Sequence, residues 1–408
     1  MKKISILFSL LLAGQLLSAQ MMSDLELAVK VDVVYLSADL LEGRSTGTAG
    51  EQMAADYIAN RFETIGLTPK GKKGSWFQPF DFNYKSNPHV QNGGEERTGK
   101  NVVGYIDNGA KTTVVIGGHY DHLGHGDFGS LFTGGEAIHN GADDNASGVA
   151  TILYLAQKLK NEGPKNNNYL FIAFSGEEMG LFGSKYFVDH PTVDLASINY
   201  MVNMDMVGRL NEEKVIVING AGTSPVWKEV FPKVKSDLSV KTSDSGIGPS
   251  DHTSFYLNDI PAIHFFTGQH GDYHKPSDDS ELVNYEGIVD ISEFIFQVIS
   301  KIDGKGKIEF TKTKDESEDR KAASFKVTLG VMPDYVYQGE GMRIDGVMDG
   351  RPAFEAGMEK GDIIIKIGET DVKNIYDYMD GLANFKKGDT ARVAFKRGDK
   401  VMVKNVTF

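Results

Sequence analysis

The chain has 408 residues, of which 40% are hydrophobic and 24% are charged, and its formal net charge is −13. A chain of this length is too long to fold around one ordinary hydrophobic core, so more than one domain is expected. The composition is that of a soluble globular protein. The negative charge argues against nucleic acid or an anionic membrane as the main partner. Because no cysteine occurs, disulfides are excluded and any metal must be bound by His, Asp or Glu.

The chain begins with a segment typical of secretory signal peptides. Residues 1–20, "MKKISILFSLLLAGQLLSAQ", contain Lys2 and Lys3, then an apolar stretch too short to span a bilayer comfortably, and then small residues around Ser18 and Ala19. This pattern predicts cleavage and export to the periplasm or the extracellular space, in preference to a membrane anchor. No later segment is long and apolar enough to predict a membrane span.

Residues 21–302 are predicted to form the larger domain. Strand-like runs such as "TTVVIGG", "YLFIAF" and "PAIHFF" alternate with amphipathic stretches such as "GEQMAADYIANRFETIG" and "SGVATILYLAQKLKNEG". This alternation predicts a three-layer α/β/α sandwich around a mixed, largely parallel sheet. The polar and charged residues 303–324 then predict a solvated linker, and residues 325–408 have the short β-like runs of a second, smaller domain.

Ionisable side chains directly follow three of the predicted strands. His119 follows "VVIGG", Glu177 and Glu178 follow "LFIAFSG", and Asp205 follows "YMVNM". In open α/β sheets, the loops at the carboxyl ends of strands converge on one crevice. Adjacent carboxylates beside a core repel each other and lose hydration, so bound cations would explain their presence.

Two further motifs are candidates to join this crevice. "GADDNASG" contains Asp143 and Asp144, and "DYHKPSDD" contains His274. A single Asp before a helix is usually an N-cap, and a single His after a strand is usually a core residue. Five such motifs in glycine-rich turns are together better explained by a pair of divalent ions that neutralise the carboxylates.

The ordered motifs "GGHYDHLG", "GADDNASG", "FSGEEMGLFGS", "NMDMVGR" and "YHKPSDD" resemble the co-catalytic dizinc aminopeptidases and their glutamate-carboxypeptidase relatives. The resemblance covers most of residues 35–300 and implies the zinc-exopeptidase fold. It also implies two zinc ions with a defined ligand set. His119 and Asp205 would hold one ion, Glu178 and His274 the other, and Asp144 would bridge both.

The resemblance further implies that Glu177 is the general base and that Asp121 orients the His119 imidazole. A hydroxide shared by the two metals would attack the scissile carbonyl. Tyr273 is a candidate oxyanion donor, although packing is an equally good explanation for an aromatic residue there.

Other ionisable residues near these motifs have weaker claims to a role. His122, His125 and His139 are interpreted as surface or supporting groups. Asp251, in "PSDHTSF", would either line the pocket or cap a helix, and Arg209 is expected to form an ion pair with a neighbouring acid.

The second domain resembles a bacterial PDZ domain of the protease-associated type, on the basis of "VTLGVMPDY" and "GRPAFEAGMEKGDIIIKIGETDV". Such domains bind an extended peptide terminus at a sheet edge. The resemblance implies that Leu329, Gly330 and Val331 form the loop that receives the terminal carboxylate. A structural domain with an empty groove is the alternative.

The leading hypothesis is therefore an exported dizinc aminopeptidase that acts on peptides. A glutaminyl-cyclase-like acyltransferase with one zinc is the closest rival, and a carboxypeptidase acting on acidic dipeptides is a further possibility within the family. A non-catalytic PDZ adaptor is disfavoured because none of the expected ligands, nor the base, is missing.

Overall fold

The computed structural model describes two sheets and their helices, in residues 24–84, 94–313, 327–333, 337, 339–347 and 350–408. The predicted signal peptide lies outside the described residues, so its cleavage and the export of the chain stay predictions. Within the described ranges, no helix is both long enough and apolar enough to cross a bilayer.

The larger sheet contains nine strands. Its strands are β1 (Thr68–Pro69), β2 (Phe77–Tyr84), β3 (Glu95–Ile106), β4 (Thr113–His119), β5 (Asn168–Phe174), β6 (Ile198–Met204), β7 (Val215–Asn219), β8 (Ser239–Thr242) and β9 (Ala262–Phe266). They lie in the order β1-β3-β5-β4-β6-β9-β7-β8, and β2 also pairs with β3. The central strands β5, β4, β6 and β9 run parallel, whereas β3 and β7 join them antiparallel.

Helices cover both faces of this sheet, as the predicted three-layer fold requires. The helices of the larger domain are α1 (Asp24–Leu36), α2 (Ala49–Ile65), α3 (Gly148–Glu162), α4 (Phe182–Asp189), α5 (Pro225–Val230), α6 (His252–Tyr256) and α7 (Tyr285–Ile302). Alternate residues of β4 face opposite layers. Val114 packs in the core beneath α1, α2, α3 and α7, whereas Val115 packs in the core that contains Phe187 of α4 and Phe255 of α6.

Local sequence signals set the ends of the longer helices. The Thr48 side chain accepts a hydrogen bond from the Glu51 N–H and so caps α2, and Gly66 ends α2 with φ of 88°. Asn284 caps α7 in the same way by accepting a hydrogen bond from the Gly287 N–H. Such caps satisfy backbone groups that the helix itself leaves unpaired.

The smaller sheet is antiparallel and has a separate core in the described residues after 326. Its strands are β10 (Val331–Pro333), β11 (Met342–Val347), β12 (Ile363–Ile367), β13 (Thr370–Asp371), β14 (Thr390–Arg397) and β15 (Lys400–Thr407). Two helices accompany it, α8 (Pro352–Glu355) and α9 (Ile375–Ala383).

The first part of the predicted linker differs from the expectation of a solvated segment. The Ile308 N–H donates to Asn199 Oδ1 at 2.8 Å, and the Thr311 N–H donates to the Thr223 carbonyl at 2.8 Å. Phe310 packs on Tyr256 with ring centroids 5.6 Å apart. The amino-acid composition of a segment does not reveal backbone hydrogen bonds of this kind. Residues 314–324 lie outside the described residues, so for them the linker stays a prediction.

Candidate metal centre

The carboxyl ends of three adjacent parallel strands form one edge of the site. β4 ends at His119, β5 leads within a few residues to Glu177 and Glu178, and β6 is followed directly by Asp205. Because β5, β4 and β6 are neighbours and run parallel, these side chains meet at the same end of the sheet, as the sequence predicts.

Two loops add the remaining predicted ligands. Asp144 lies in the turn that precedes α3, and Asp278 Oδ2 accepts hydrogen bonds from the N–H groups of Asp143 and Asp144, each at 3.0 Å. The Nδ1 atom of His274 is 2.9 Å from the carbonyl oxygen of Gly129. If Nδ1 donates to that carbonyl, the unprotonated Nε2 points toward the acids, which is the usual arrangement of a metal-binding histidine.

The first cluster consists of His119, Asp144 and Asp205. His119 Nε2 is 3.3 Å from Asp144 Oδ1 and 3.3 Å from Asp205 Oδ1. One ligand atom from each residue lies close enough to the others to surround a single ion. His119 and Asp144 are buried, whereas the Asp205 side chain is 13% exposed.

The second cluster shares Asp144 with the first. His274 Nε2 is 3.2 Å from Asp144 Oδ2 and 3.2 Å from Glu178 Oε2. Asp144 therefore turns one oxygen toward His119 and the other toward His274, which is the geometry expected of a bridging carboxylate. His122, Asp144 and Glu178 also form a group with metal-binding spacing.

The electrostatics of the pocket fit bound cations. Burial by itself would raise the pKa of Asp144 and of Glu178, but the neighbouring histidines outweigh it, so the pKa of Asp144 is held well below its usual range and that of Glu178 falls to about 2. Both carboxylates are therefore ionised at neutral pH. Buried carboxylate oxygens and imidazole nitrogens, with no cysteine in the chain, are a donor set that suits zinc.

Glu177 is placed differently from its neighbour. Its backbone N–H donates to Asp121 Oδ1 at 3.1 Å, and neither of the two metal-binding groups described above includes its side chain. Burial raises the pKa of the Glu177 carboxyl well above its ordinary value. A carboxylate with a raised pKa beside a metal pocket is suited to accept and return a proton.

Asp121 connects Glu177 to the first histidine. Its side chain is fully buried, with Oδ1 3.7 Å from His119 Nδ1 and Oδ2 accepting a hydrogen bond from Thr46 Oγ1 at 3.0 Å. The Asp121 carbonyl oxygen is nearer still to His119 Nδ1, at 3.2 Å. Asp121 thus constrains both the imidazole and the Glu177 backbone.

Tyr273 lies at the edge of the pocket, where its ring stacks on the His274 ring with centroids 3.8 Å apart. Through this contact the Tyr273 ring packs against the pocket. The oxyanion role of its hydroxyl stays a prediction.

The predicted peptide loop lies in the smaller sheet. Leu329 is buried in the core of that domain and its carbonyl accepts a hydrogen bond from the Ala353 N–H at 2.8 Å. Gly330 has φ of 71°, and its N–H donates to Thr328 Oγ1 at 3.0 Å. A bound carboxylate would have to share that donor, so the binding role of Leu329, Gly330 and Val331 stays a prediction.

Sequence reasoning left the role of one residue open and missed another. His122 was interpreted as a surface or supporting group, and of these the structure excludes the surface position, because His122 is buried with Nδ1 2.7 Å from Glu178 Oε1. Asp278 was not singled out, although it holds the Asp144 backbone and accepts a hydrogen bond from Arg209 at 3.3 Å. Its signal was its place in "YHKPSDD", four residues after His274. Arg209 forms ion pairs, as expected.

The fold and this charged pocket define a class of protein, the α/β/α domains that carry a candidate metal pocket at the carboxyl ends of parallel strands. Residues 101–299 match Peptidase family M28, and residues 308–407 match a PDZ domain. The chain therefore carries an M28 peptidase domain followed by a PDZ domain.

Curated relatives are similar over part of their length. Leupeptin-inactivating enzyme 1 of Streptomyces exfoliatus is 28% identical over 57% of this chain and 46% of its own length. Aminopeptidase YwaD of Bacillus subtilis is 30% identical over 38% of this chain and 36% of its own length. The chain thus spans less than half the length of both relatives.

Solved structures share the fold at low sequence identity. A zinc aminopeptidase from Bacillus subtilis superposes with a TM-score of 0.55 at 18% identity, covering 72% of this chain and 97% of that one. The glutaminyl cyclase of Porphyromonas gingivalis has a TM-score of 0.54 at 16% identity and covers 68% of this chain and 98% of that one. These likenesses support the three-layer fold.

Proposed function

We propose that the chain is an exported, zinc-dependent aminopeptidase that removes N-terminal residues from peptides. One observation carries the proposal. Asp144 faces His119 with one oxygen and His274 with the other, at 3.3 and 3.2 Å, with Asp205 and Glu178 completing the two clusters. This arrangement supports two zinc ions that share the Asp144 carboxylate.

The chemistry of the pocket follows from its residues. Zinc bound there would lower the pKa of a coordinated water to about 7 and polarise the scissile carbonyl. Glu177 would take a proton from the attacking water as the bond between oxygen and the carbonyl carbon forms. As the carbon–nitrogen bond breaks, Glu177 would return that proton to the leaving amine.

The neighbouring residues would keep Glu177 free for this role. Asp121 holds its backbone through the hydrogen bond from the Glu177 N–H, while Glu178 turns toward His122 and His274. The two adjacent glutamates would thus divide metal binding and proton transfer between them.

A glutaminyl-cyclase-like activity is the second candidate, because a glutaminyl cyclase shares this fold to nearly the same degree as the zinc aminopeptidase. Five histidine and carboxylate groups in two clusters favour two ions over one, and so favour the aminopeptidase. For the PDZ domain we propose binding of an extended peptide or protein C-terminus at Leu329, Gly330 and Val331.

A substrate panel with parallel metal analysis tests the proposal. We expect free N-terminal amino acids from aminoacyl and peptide substrates, two zinc ions per chain, and loss of hydrolysis on chelation that added zinc reverses. One zinc per chain with pyroglutamate formed from N-terminal glutamine would favour the cyclase. Hydrolysis that resists complete removal of metal would contradict both.

A further inference from the structure

His122 is held rigidly in the wall of the pocket. Its side chain is buried, and its backbone N–H donates to the Arg44 carbonyl at 3.2 Å. A Cβ atom added to Gly141 would lie 2.5 Å from Cδ2 of the His122 ring, so the ring fills the space that this glycine leaves. The imidazole has little freedom to turn or to move away.

The two ring nitrogens of His122 have different surroundings. Nδ1 lies 2.7 Å from Glu178 Oε1, whereas Nε2 is buried and has no hydrogen-bond partner among the described residues. A hydrogen on Nε2 would be an unpaired buried donor, which is costly. The favoured neutral tautomer therefore carries its hydrogen on Nδ1 and donates it to Glu178.

This hydrogen bond divides the Glu178 carboxylate. Oε1 accepts from His122, while Oε2 lies 3.2 Å from His274 Nε2 on the side of the second cluster. His122 Nδ1 is 3.9 Å from Asp144 Oδ2, so it is much closer to Glu178 than to the bridging acid. These two distances indicate that His122 Nδ1 is hydrogen-bonded to Glu178 and not to Asp144.

We propose that His122 is a positioning residue that donates from Nδ1 to Glu178 Oε1 and thereby leaves Oε2 as the single oxygen aimed at the second metal. The inference rests on the proposed function, because it assumes that this pocket binds zinc. Residues that orient metal ligands in this way commonly contribute to metal affinity without touching the ion.

Two substitutions separate positioning from direct ligation. The amide nitrogen of asparagine lies close to where Nδ1 of histidine would be, so His122→Asn keeps a donor for Glu178. His122→Leu removes it. His125→Leu is the matched control, because His125 is 39% exposed on the same segment and pairs with Glu136.

Zinc binding by the full chain is measured by competition with a chromophoric chelator, together with the thermal unfolding of each variant. We expect His122→Leu to weaken the second zinc site by roughly 10- to 100-fold, with the first site unchanged. His122→Asn should restore most of that affinity, and His125→Leu should match wild type at both sites. Restoration by asparagine is a result that a purely structural role would not give.

The contrary outcomes are distinct. If folded His122→Leu binds both ions as tightly as wild type, the positioning role is wrong and the proposed function stands. If His122→Asn loses the second ion as fully as His122→Leu, His122 is a direct ligand. If the wild-type chain binds no zinc, the proposed function fails and this inference fails with it.

Discussion

The two sheets of this protein present functional groups in different ways. In the M28 domain, ionisable side chains gather where parallel strands end, as with His119 and Asp205. In the PDZ domain, the proposed recognition loop would use backbone groups around Gly330. A site built from side chains can be recognised in the sequence by its residue types. A site built from backbone groups is marked in the sequence by little more than a glycine.

Buried charge is also balanced differently in the two domains. Within the described part of the PDZ domain, the buried carboxylate of Asp362 accepts two hydrogen bonds from the Arg397 guanidinium, each at 2.8 Å. In the M28 pocket, Asp144 and Glu178 are held by histidines, which carry a full charge only when protonated. An arginine completes the first arrangement from within the chain, whereas under the proposed function the second would be completed by bound zinc.

The largest expected effect comes from Glu177→Gln, which would test the division of labour inside the M28 pocket. The amide cannot accept the proton, so turnover should fall by about 10²- to 10⁴-fold. Zinc content should remain that of wild type, because Glu177 is outside the two clusters. Steady-state kinetics and metal analysis on the same preparation measure both quantities.

The control for this substitution is the adjacent Glu178→Gln, which should lose zinc as well as activity. Near-normal turnover in Glu177→Gln would remove Glu177 as the base. Equal loss of zinc in both variants would mean that the two glutamates do not divide the roles.

Much of this pocket could be predicted because each motif placed an ionisable residue directly after an apolar strand or in a glycine-rich turn. The fold class is confirmed, and β4 and β6 are, as the apolar-rich runs predict, strands buried along their whole length. The ligand assignment itself stays a prediction, although the structure brings all five residues together.

The supporting contacts could not be predicted, because they depend on how distant loops fold back. Asp278 reaches the Asp143 N–H across 135 residues of sequence. The orientation of the His122 ring is set by packing against Gly141, and spacing along the chain carries no information about it. Ile308 and Thr311 bond to the larger domain through their backbone N–H groups. Composition does not reveal such bonds, so a segment that is polar in sequence was predicted to be solvated.

The second prediction concerns the pH dependence of zinc binding at the M28 pocket. Burial would lower the pKa of His119 and of His274, but the surrounding carboxylates outweigh it and raise both well above their ordinary values. In the metal-free chain these imidazoles are therefore protonated at neutral pH. Zinc must displace those protons, so its affinity should rise with pH.

We expect the apparent affinity to increase by about tenfold per pH unit for each proton displaced, between pH 6 and 8. Competition titrations at several pH values measure it, and calorimetry in buffers of different ionisation enthalpy counts the protons released. An affinity that is flat across this range would contradict the raised pKa values.

The third prediction addresses the PDZ loop. Gly330 has φ of 71°, and a Cβ atom there would lie 2.2 Å from Cβ of Arg351. Gly330→Ala should destabilise the PDZ domain by more than the roughly 1–2 kcal/mol expected for the left-handed conformation alone. Zinc content should not change. Denaturant unfolding of the full chain measures the PDZ transition.

Gly350→Ala is the matched control, because Gly350 has φ of 67° and nothing lies within 4 Å of an added Cβ atom. It isolates the conformational term from the steric one. Equal destabilisation by the two substitutions would show that the contact with Arg351 relaxes freely.

The smallest expected effect is that of removing the PDZ domain. The cores of the two domains are formed by separate sets of residues, and domains with their own cores fold independently. A chain that ends at residue 313 should therefore hydrolyse a small aminoacyl substrate within about twofold of the full-length rate. Complete loss of activity in that folded chain would mean that the PDZ domain helps to build the site.

The stability of the truncated chain should depend on where it ends. A chain that ends at residue 305 is therefore compared with the chain that ends at residue 313. The shorter chain lacks the hydrogen bonds of Ile308 and Thr311 to the M28 domain and the packing of Phe310 on Tyr256. It should unfold at a lower temperature than the chain that ends at 313. Equal stability of the two truncated chains would show that residues 306–313 contribute nothing to the M28 domain, and that the domain boundary lies where the composition changes.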